Sequence, residues 1–339
     1  MTTTTGIRLA MTAAVYRHFG APDVVRLEQL PIPAPGPGDV LIRVHASTVS
    51  VADHRARSRD IPAGLGPLAA VGLGVFRPSR RILGMDAAGV VEAVGAGVTR
   101  FAPGDRVIAM TGGAFGGHAE YVRVPEDGAI ARAPEKMSFE EAVTLVFGGV
   151  TAHGFFRNVT IGSGTTVLVN GASGAVGTAA VQLAKELGAD VTAVTSGANA
   201  ELVTSLGADR VIDYTKQDFA ASGPSFDVIV ECVGNAPFDR VSAAINPGGA
   251  LLLIIADLRG MLRSRGQSRR SGKLVTFDVG KPAAEDLAYL VSLADAGRFR
   301  AVIDRSYDLS DIVEAHRYVD TGRKRGNVVL RVAAVRDEQ

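Results

Sequence analysis

The chain has 339 residues, 47% of them hydrophobic, a net charge of +1 and a single cysteine. This length suffices for two domains and a sizeable core, while the balanced charge gives no reason to expect nucleic acid as a partner. One cysteine excludes an intrachain disulfide and a cysteine-based zinc site and fits a reducing cytoplasm, and no apolar run reaches the roughly 20 residues that span a membrane.

The first part of the chain, residues 1–135, is predicted to be rich in short strands. Residues 1–10 are expected to be a disordered tail, with Met11 as a candidate start. Three apolar runs follow and are separated by glycine and proline turns: 40–45, 88–94 and 106–110. Short strands with such turns are typical of a partly open barrel or a sandwich.

Strand and helix patterns alternate between residues 136 and 279. Ser138 and Glu141 form a capping box, which predicts the start of a helix. The elements that follow are strand 167–169, helix 175–187, strand 191–194, helix 200–206, strand 210–212, strand 227–231, helix 238–244 and strand 250–256. This alternation predicts a parallel sheet with helices on both faces.

The last part, residues 280–339, is predicted to return to the β-rich domain. It should contain a helix at 283–296, segment 308–321 and a final strand at 327–332. A basic segment, 258–273, precedes it and carries five arginines and one lysine. We predict a mobile solvated loop there. The alternative is a lid that attracts an anionic substrate.

A glycine-rich turn joins the strand at 167–169 to the helix that follows it. Its sequence is GASGAVG, with glycines at Gly171, Gly174 and Gly177. Glycines allow a pyrophosphate to approach the backbone, and the N–H groups and dipole of the helix start favour an anion. We predict that this loop binds a dinucleotide. The alternative is a turn that binds nothing.

The second strand of this unit ends without the acidic residue that would bind the 2′-hydroxyl of NAD. Thr195, Ser196 and Asn199 stand there instead and can donate hydrogen bonds to a 2′-phosphate without repelling it. The sequence therefore favours NADPH over NADH. The positive charge for that phosphate is expected from Arg325 in the basic turn 323–325, for which the alternative is a solvated surface turn.

Motifs between residues 13 and 332 carry a resemblance to a known family. They are PGPGDVLI at 35–42, GMDAAGVV at 84–91, FAPGDRV at 101–107, FGGHAEY at 115–121, GGVTA at 148–152, LGADRVIDY at 206–214 and GNVVL at 326–330, beside the glycine loop. The chain resembles the zinc-independent quinone oxidoreductase branch of the medium-chain dehydrogenase/reductase superfamily. The resemblance implies an α/β protein: a GroES-like β-barrel catalytic domain over 1–135 and 280–339, and a Rossmann domain with a parallel sheet over 136–279.

The resemblance also implies a function. NADPH would reduce a quinone or an α,β-unsaturated carbonyl in a homodimer, without a metal. The predicted cofactor-binding residues are Thr151, Gly171, Ser173, Gly174, Ala175, Val176, Gly177, Thr195, Ser196, Asn199, Tyr214, Val233, Leu253, Ile255 and Arg325. The dimer is expected to form along an edge made by 250–256 and 273–277.

The predicted catalytic residues are Ser50, His54 and Thr151, with Thr151 near the nicotinamide. The family usually carries Asn-Pro-x-Asp where this chain has SVAD at 50–53, so the groups that face the substrate differ. His54 could donate a proton, because its reference pKa of about 6.5 suits that task. The alternative is a surface histidine, with solvent as the proton source.

Other function classes stay open on the sequence alone. The same pattern suits a zinc-free alcohol dehydrogenase or an enoyl-thioester reductase of a biosynthetic pathway, and also a non-catalytic NADPH-binding protein. Zinc-dependent relatives carry a cysteine in the loop that corresponds to 50–53 and a His-Glu pair before the Ala-Ala-Gly motif. This chain has no cysteine in that loop and has Met85 and Asp86 in place of the pair, so no zinc is expected. His316, on the last helix, is expected at the surface.

Overall fold

The computed structural model describes residues 10–221 and 223–332. The tail expected over residues 1–10 therefore lies outside the described residues except for Ala10, the first residue of a strand. Within the described part of the chain, every helix is too short or too polar to cross a lipid bilayer.

The N-terminal part folds mainly as strands. Its elements are β1 (Ala10–Tyr16), β2 (Val25–Pro31), β3 (Asp39–Val49), α1 (Val51–Ser58), α2 (Gly66–Leu73), β4 (Asp86–Val94), β5 (Arg106–Met110), β6 (Tyr121–Pro125) and β7 (Ile130–Arg132). Strand β3 lies at the centre, since β4 and β6 both pair with it in antiparallel fashion. The sequence predicted β3, β4 and β5 and missed both helices.

The middle part alternates between helix and strand. Its elements are α3 (Phe139–Val143), α4 (Val146–Phe156), β8 (Thr166–Asn170), α5 (Ala175–Glu186), β9 (Asp190–Thr195), α6 (Ala200–Ser205), β10 (Arg210–Asp213), β11 (Phe226–Glu231), α7 (Phe238–Val241), β12 (Ile245–Leu253), α8 (Leu258–Ser271) and β13 (Leu274–Thr276). The strands form one parallel sheet in the order β10-β9-β8-β11-β12-β13. This is the strand order of dinucleotide-binding folds.

The C-terminal part returns to the first sheet. It contains α9 (Ala284–Asp295), β14 (Ile303–Asp308), α10 (Ile312–Asp320) and β15 (Asn327–Arg331). Strand β15 pairs with β3, so the second sheet runs β14-β15-β3-β4-β5-β7. The exact domain limits at residues 135 and 280 stay a prediction.

Burial explains the apolar runs of the parallel sheet. Leu168, Val169, Ile229, Val230 and Leu251 are fully buried, because helices cover both faces of the sheet. Two of them, Val169 and Val230, belong to a hydrophobic cluster that extends into the other sheet through three fully buried residues: Ala46, Ala88 and Ile108. This shared core fixes the position of one sheet against the other, and so it fixes the cleft between them.

The loop predicted at 258–273 is wrong, because this segment forms the helix α8. The carboxylate of Asp257 accepts a hydrogen bond from the N–H of Gly260 at 2.7 Å, and Gly272 ends the helix with φ 69°. Both are regular helix ends, and arginine, leucine and methionine favour the helix between them.

Two further expectations are corrected by tertiary contacts. Residues 250–256 do not form an edge, because β12 is paired on both sides and β13 is the outermost strand at that end of the sheet. His316 is fully buried rather than at the surface, and its ring lies 5.8 Å from that of His118. The hydrophobic face of α10 places it there, since Ile312, Ala315 and Val319 are buried with it.

Candidate active site

The glycine loop is shaped by two tight contacts. Gly171 has φ 81°, and a Cβ there would lie 2.7 Å from a methyl group of Val233. A Cβ on Gly177 would lie 2.1 Å from the carbonyl oxygen of Gly171. The N–H groups of Gly171 and Ala172 donate to the carbonyl of Val194, which ties the loop to β9. These two glycines are therefore required by the packing of the protein itself.

Gly174 differs, because it faces open space. It is the N-cap of α5, no side chain caps this helix, and a Cβ would meet only the carbonyl oxygen of Gly171 at 3.5 Å. Ala175, Val176 and Gly177 form the first helical turn, whose N–H groups lack intrahelical partners. An open, uncapped helix start is a fitting place for the phosphates of a dinucleotide.

Three of the predicted residues meet beside this loop. The hydroxyl of Thr195 donates to Ser173 Oγ at 2.9 Å, and Asn199 Nδ2 donates to the same oxygen at 3.2 Å. Ser196 precedes the short turn that contains Asn199, and Tyr214 is 62% exposed, with its N–H on the carbonyl of Thr195. These side chains line the end of β9, where the adenosine ribose is expected.

The basic turn 323–325 lies against the glycine loop. The N–H of Gly326 donates to the carbonyl of Ser173 at 2.7 Å, and Gly326 forms a parallel bridge with Gly174. Lys324 Nζ donates to the carbonyl of Gly326 at 2.7 Å, and burial lowers the pKa of this amine to about 8. Arg325 Nε lies 3.5 Å from Asp304. A source of positive charge thus lies beside the glycine loop.

One acidic residue near this site was missed from the sequence. Asp213 ends β10 and pairs with Thr195 in the parallel register. Its carboxylate accepts bonds from the N–H and the hydroxyl of Thr215 at 3.0 and 2.7 Å, and these hydrogen bonds lower its pKa. The sequence suggested an acid only at the end of β9, whereas Asp213 ends the neighbouring strand, β10.

A cleft opens at the carboxyl ends of β11 and β12. It has a volume of about 480 Å³, and the predicted residues Val233, Leu253 and Ile255 line it. Val233 also packs against Gly171, so this wall of the cleft lies beside the glycine loop. Ligands of such sheets bind in the crevice outside these strand ends.

The start of α8 is attached to the opposite wall of the cleft. The N–H of Leu258 donates to the carbonyl of Ala63 at 3.0 Å. Gly64, at φ 80°, lies so close that a Cβ would stand 2.8 Å from Leu258 Cβ. The segment after α1 and the helix α8 therefore close the cleft together.

The predicted catalytic residues lie outside the lining of this cleft. Ser50 is buried and caps α1: its hydroxyl donates to Asp53 Oδ2 at 2.6 Å and accepts from the N–H of Asp53. His54 Nδ1 lies 2.7 Å from Asp320 Oδ1. The hydroxyl of Thr151 donates to the carbonyl of Phe147 within α4. Each side chain thus already has a partner within the protein.

Two ionisable groups outside the lining of the cleft have raised pKa values. Asp86 accepts hydrogen bonds from the N–H and hydroxyl of Thr48 at 2.7 and 2.6 Å, yet burial raises its pKa to about 7. Burial also raises the pKa of the Cys232 thiol, so this cysteine is a poor nucleophile. No cluster of three or more potential metal ligands occurs in residues 10–221 and 223–332.

Comparisons with known proteins agree with this geometry. Residues 36–135 match the alcohol dehydrogenase GroES-like domain, and residues 206–330 match a family described as zinc-binding dehydrogenase. A chloroplastic quinone-oxidoreductase of Triphysaria versicolor is 34% identical over 94% of this chain and 98% of its own. The chain belongs to the medium-chain dehydrogenase/reductase superfamily. The superfamily consists of NAD(P)H-binding oxidoreductases.

Two more members of this superfamily are similar over nearly the whole chain. The 2-methylene-furan-3-one reductase of Solanum lycopersicum is 31% identical over 97% of this chain and 81% of its own. The solved quinone oxidoreductase of Coxiella burnetii has a TM-score of 0.84 at 28% identity, covering 96% of this chain and all of its own. The predicted fold and the resemblance to quinone oxidoreductases are confirmed.

Proposed function

We propose that this superfamily member is an NADPH-dependent reductase of quinones or α,β-unsaturated carbonyls that works without zinc. The observation that carries the proposal is that Val233, which lines the cleft, also packs against Gly171 of the glycine loop. A dinucleotide with its phosphates at the start of α5 would therefore reach the cleft at the ends of β11 and β12. Relatives named quinone-oxidoreductase and 2-methylene-furan-3-one reductase support the substrate class.

The residues of the chain bind and orient the cofactor and the substrate, and they exclude water from the cleft. The bound cofactor supplies a hydride. The start of α5 holds the phosphates, while Val233, Leu253 and Ile255 form an apolar wall. An enone gains the hydride at its β carbon and a proton at its α carbon. Since neither histidine nor tyrosine is among the described residues that line the cleft, we assign the proton to solvent.

The function is tested by turnover. Purified protein, treated with a chelator and checked for metal content, should oxidise NADPH in the presence of a quinone or an enone. Loss of activity that added zinc restores would contradict the zinc-free proposal. Binding of NADPH, seen as a raised melting temperature, without oxidation across a broad substrate panel would favour a binding protein instead.

The preference for NADPH is proposed to depend on the basic turn 323–325. We expect Arg325→Gln to raise the Kd for NADPH about 10-fold, since a charge-assisted hydrogen bond contributes roughly 1.5–3 kcal/mol, and to change the Kd for NADH less. Asp304 retains its bonds to Tyr318 and to the N–H of residue 325. The measurement is titration of each cofactor against the wild-type protein and the variant.

A matched control is Arg331→Gln, which removes a positive charge that pairs with Asp308 on the neighbouring strand. It should leave the ratio of the two Kd values unchanged. Tighter binding of NADH by the wild-type protein would overturn the preference. The carboxylate of Asp213 would then explain the result, because it lies beside the turn at Gly197 and repels a 2′-phosphate.

A homodimer in the cytoplasm completes the proposal. Strand β13 is the outermost strand of the parallel sheet, and Leu274 is 37% exposed on it. Unpaired strand edges readily pair with another chain. Sedimentation velocity measures this directly, and a monomer at micromolar concentration would contradict it. The cytoplasmic location rests on the single cysteine.

A further inference from the structure

Three arginine side chains stand on the walls of the cleft. Arg55 comes from α1, on the side of the β-rich part, whereas Arg259 and Arg263 come from α8, on the side of the parallel sheet. The same cleft is also lined by four acidic residues: Asp60, Glu231, Asp239 and Asp257. Total charge therefore does not decide what the cleft binds. What matters is which of these groups already have partners.

The two acids nearest the strand ends are satisfied by N–H groups. Glu231 is fully buried and accepts from the N–H groups of Val233 and Gly234 at 2.6 and 2.8 Å. Asp257 accepts from the N–H of Gly260 at 2.7 Å as the cap of α8. Neither carboxylate needs a cation from the ligand, because backbone dipoles already stabilise its charge.

The remaining acids lie toward solvent. Asp239 has a 71% exposed side chain, accepts a bond from Gln267 at 3.1 Å and lies 3.7 Å from Arg263. Asp60 is 73% exposed and lies 3.4 Å from His54 Nε2. Arg263 thus shares its charge with Asp239, and water stabilises both acids.

Arg55 and Arg259 are different. In the described part of the chain, neither guanidinium donates a hydrogen bond or lies within ion-pair distance of an acid. Arg55 is half-buried, and this burial lowers its pKa, while the charge of Asp60 opposes the effect. A half-buried guanidinium such as that of Arg55 is costly unless a ligand supplies acceptors for its unused donors. Arg259 is exposed, so water solvates it in the free protein and its donors are available to a ligand.

We propose that Arg55 and Arg259 hold an anionic group of the substrate, a carboxylate or a phosphate. The substrate is then a negatively charged quinone or enone. Guanidinium groups bind both anions through paired N–H donors. This inference rests on the proposed reductase function and adds the substrate class to it. The two arginines approach from opposite walls, so the anion would also help to hold the cleft closed.

The phosphates of the cofactor are a second possible source of negative charge for these arginines. The fold separates the proposed phosphate site from the cleft arginines. The phosphate site lies at the start of α5, after β8, whereas α8 follows β12. Strand β12 is two positions from β8 in the sheet, with β11 between them. At about 4.8 Å per strand, roughly 10 Å separates β8 from β12 within the sheet. The cleft arginines therefore belong to the substrate end.

The same helix offers a matched control. Arg269 and Arg270 lie in the last turn of α8 and are absent from the lining of the cleft. The alternative stated for segment 258–273, a basic lid, did not distinguish these two arginines from Arg259. Of the arginines of α8, only Arg259 and Arg263 line the cleft. Removal of Arg269 and Arg270 lowers the charge of α8 more than removal of Arg259 does, but away from the substrate.

The experiment compares a 4-oxo-2-alkenoate with its methyl ester. For each, kcat/KM is measured with NADPH in the wild-type protein and in Arg259→Gln, Arg55→Gln and the double variant Arg269→Gln/Arg270→Gln. We expect the ratio of acid to ester to fall about 10-fold or more in the two cleft variants, the size of one lost charge-assisted bond. The double variant should keep the wild-type ratio, and Arg259→Lys should recover part of it.

A second measurement separates this inference from the proposed function. Binding of the saturated 4-oxo acid and its methyl ester is measured by calorimetry in the presence of NADP⁺. If the protein reduces neither of these two substrates nor any other quinone or enone of the panel, the proposed function fails. Weaker acid binding in Arg259→Gln than in the wild-type protein would still support the anion site.

The anion site would be overturned by an acid-to-ester ratio that is the same in the cleft variants and the wild-type protein. If these variants also had a raised Kd for NADPH, the arginines would be assigned to the cofactor.

Discussion

Gly174→Ala is expected to weaken cofactor binding about 10- to 100-fold while leaving the melting temperature of the free protein unchanged. The backbone of Gly174 has φ −80°, which alanine adopts freely, and the added methyl group would meet only one atom at 3.5 Å. It would fill the space where the phosphates approach the N–H groups of α5. Titration of NADPH and thermal unfolding measure the two effects separately.

Gly177→Ala is the control for this separation. Its methyl group would lie 2.1 Å from the carbonyl oxygen of Gly171 and 2.7 Å from Ala172 Cα, both backbone atoms. We expect this variant to lose stability as well as cofactor affinity. Wild-type affinity in Gly174→Ala would mean that phosphates bind elsewhere, and the proposed function would lose its main support.

Asp86→Asn is expected to flatten the pH dependence of stability between pH 4 and pH 8. Burial raises the pKa of Asp86 to about 7, above its value in the unfolded chain. The folded state therefore prefers the protonated acid. Its stabilising contribution is complete below about pH 4 and is lost as the pH rises through 7. At about 1.4 kcal/mol per pKa unit, the loss is at most about 4 kcal/mol.

Asparagine removes this loss because it does not ionise, and its oxygen still accepts from the N–H of Thr48. The free energy of unfolding, measured by urea denaturation across this pH range, is the test. Asp105→Asn is the control of opposite sign, since hydrogen bonds from Ala102 and Arg132 lower the pKa of that acid. Identical pH profiles for Asp86→Asn and the wild-type protein would show that the fold does not raise the pKa of Asp86.

The sequence predicted the parts of the site that depend on neighbouring residues. The glycine loop, the strand before it and the helix after it lie where expected, because apolar periodicity and glycine spacing act over a few residues. The helix α8 was missed, although its cap residues Asp257 and Gly272 stand in the sequence. Its glycines and serines obscured them, since both residue types are common in loops.

The surroundings of the loop could not be predicted in the same way. The acid near the ribose site comes from β10 rather than β9, because parallel pairing sets Asp213 beside Thr195. The basic turn reaches Ser173 only because β15 returns to the first sheet. Ser50 and His54 were predicted to be catalytic, but the fold places both outside the lining of the cleft, where each already has a hydrogen-bonding partner.

The sequence by itself determined most of the alternating strands and helices of the parallel sheet, the glycine loop and the superfamily. Each follows from spacing within one short stretch or from motifs read along the chain. Only the tertiary structure decided that Arg55 and Arg259 line one cleft, that His316 is buried and that the basic turn 323–325 lies against the glycine loop. These placements depend on contacts between residues far apart in the chain, and no local pattern encodes which distant surfaces will pack together.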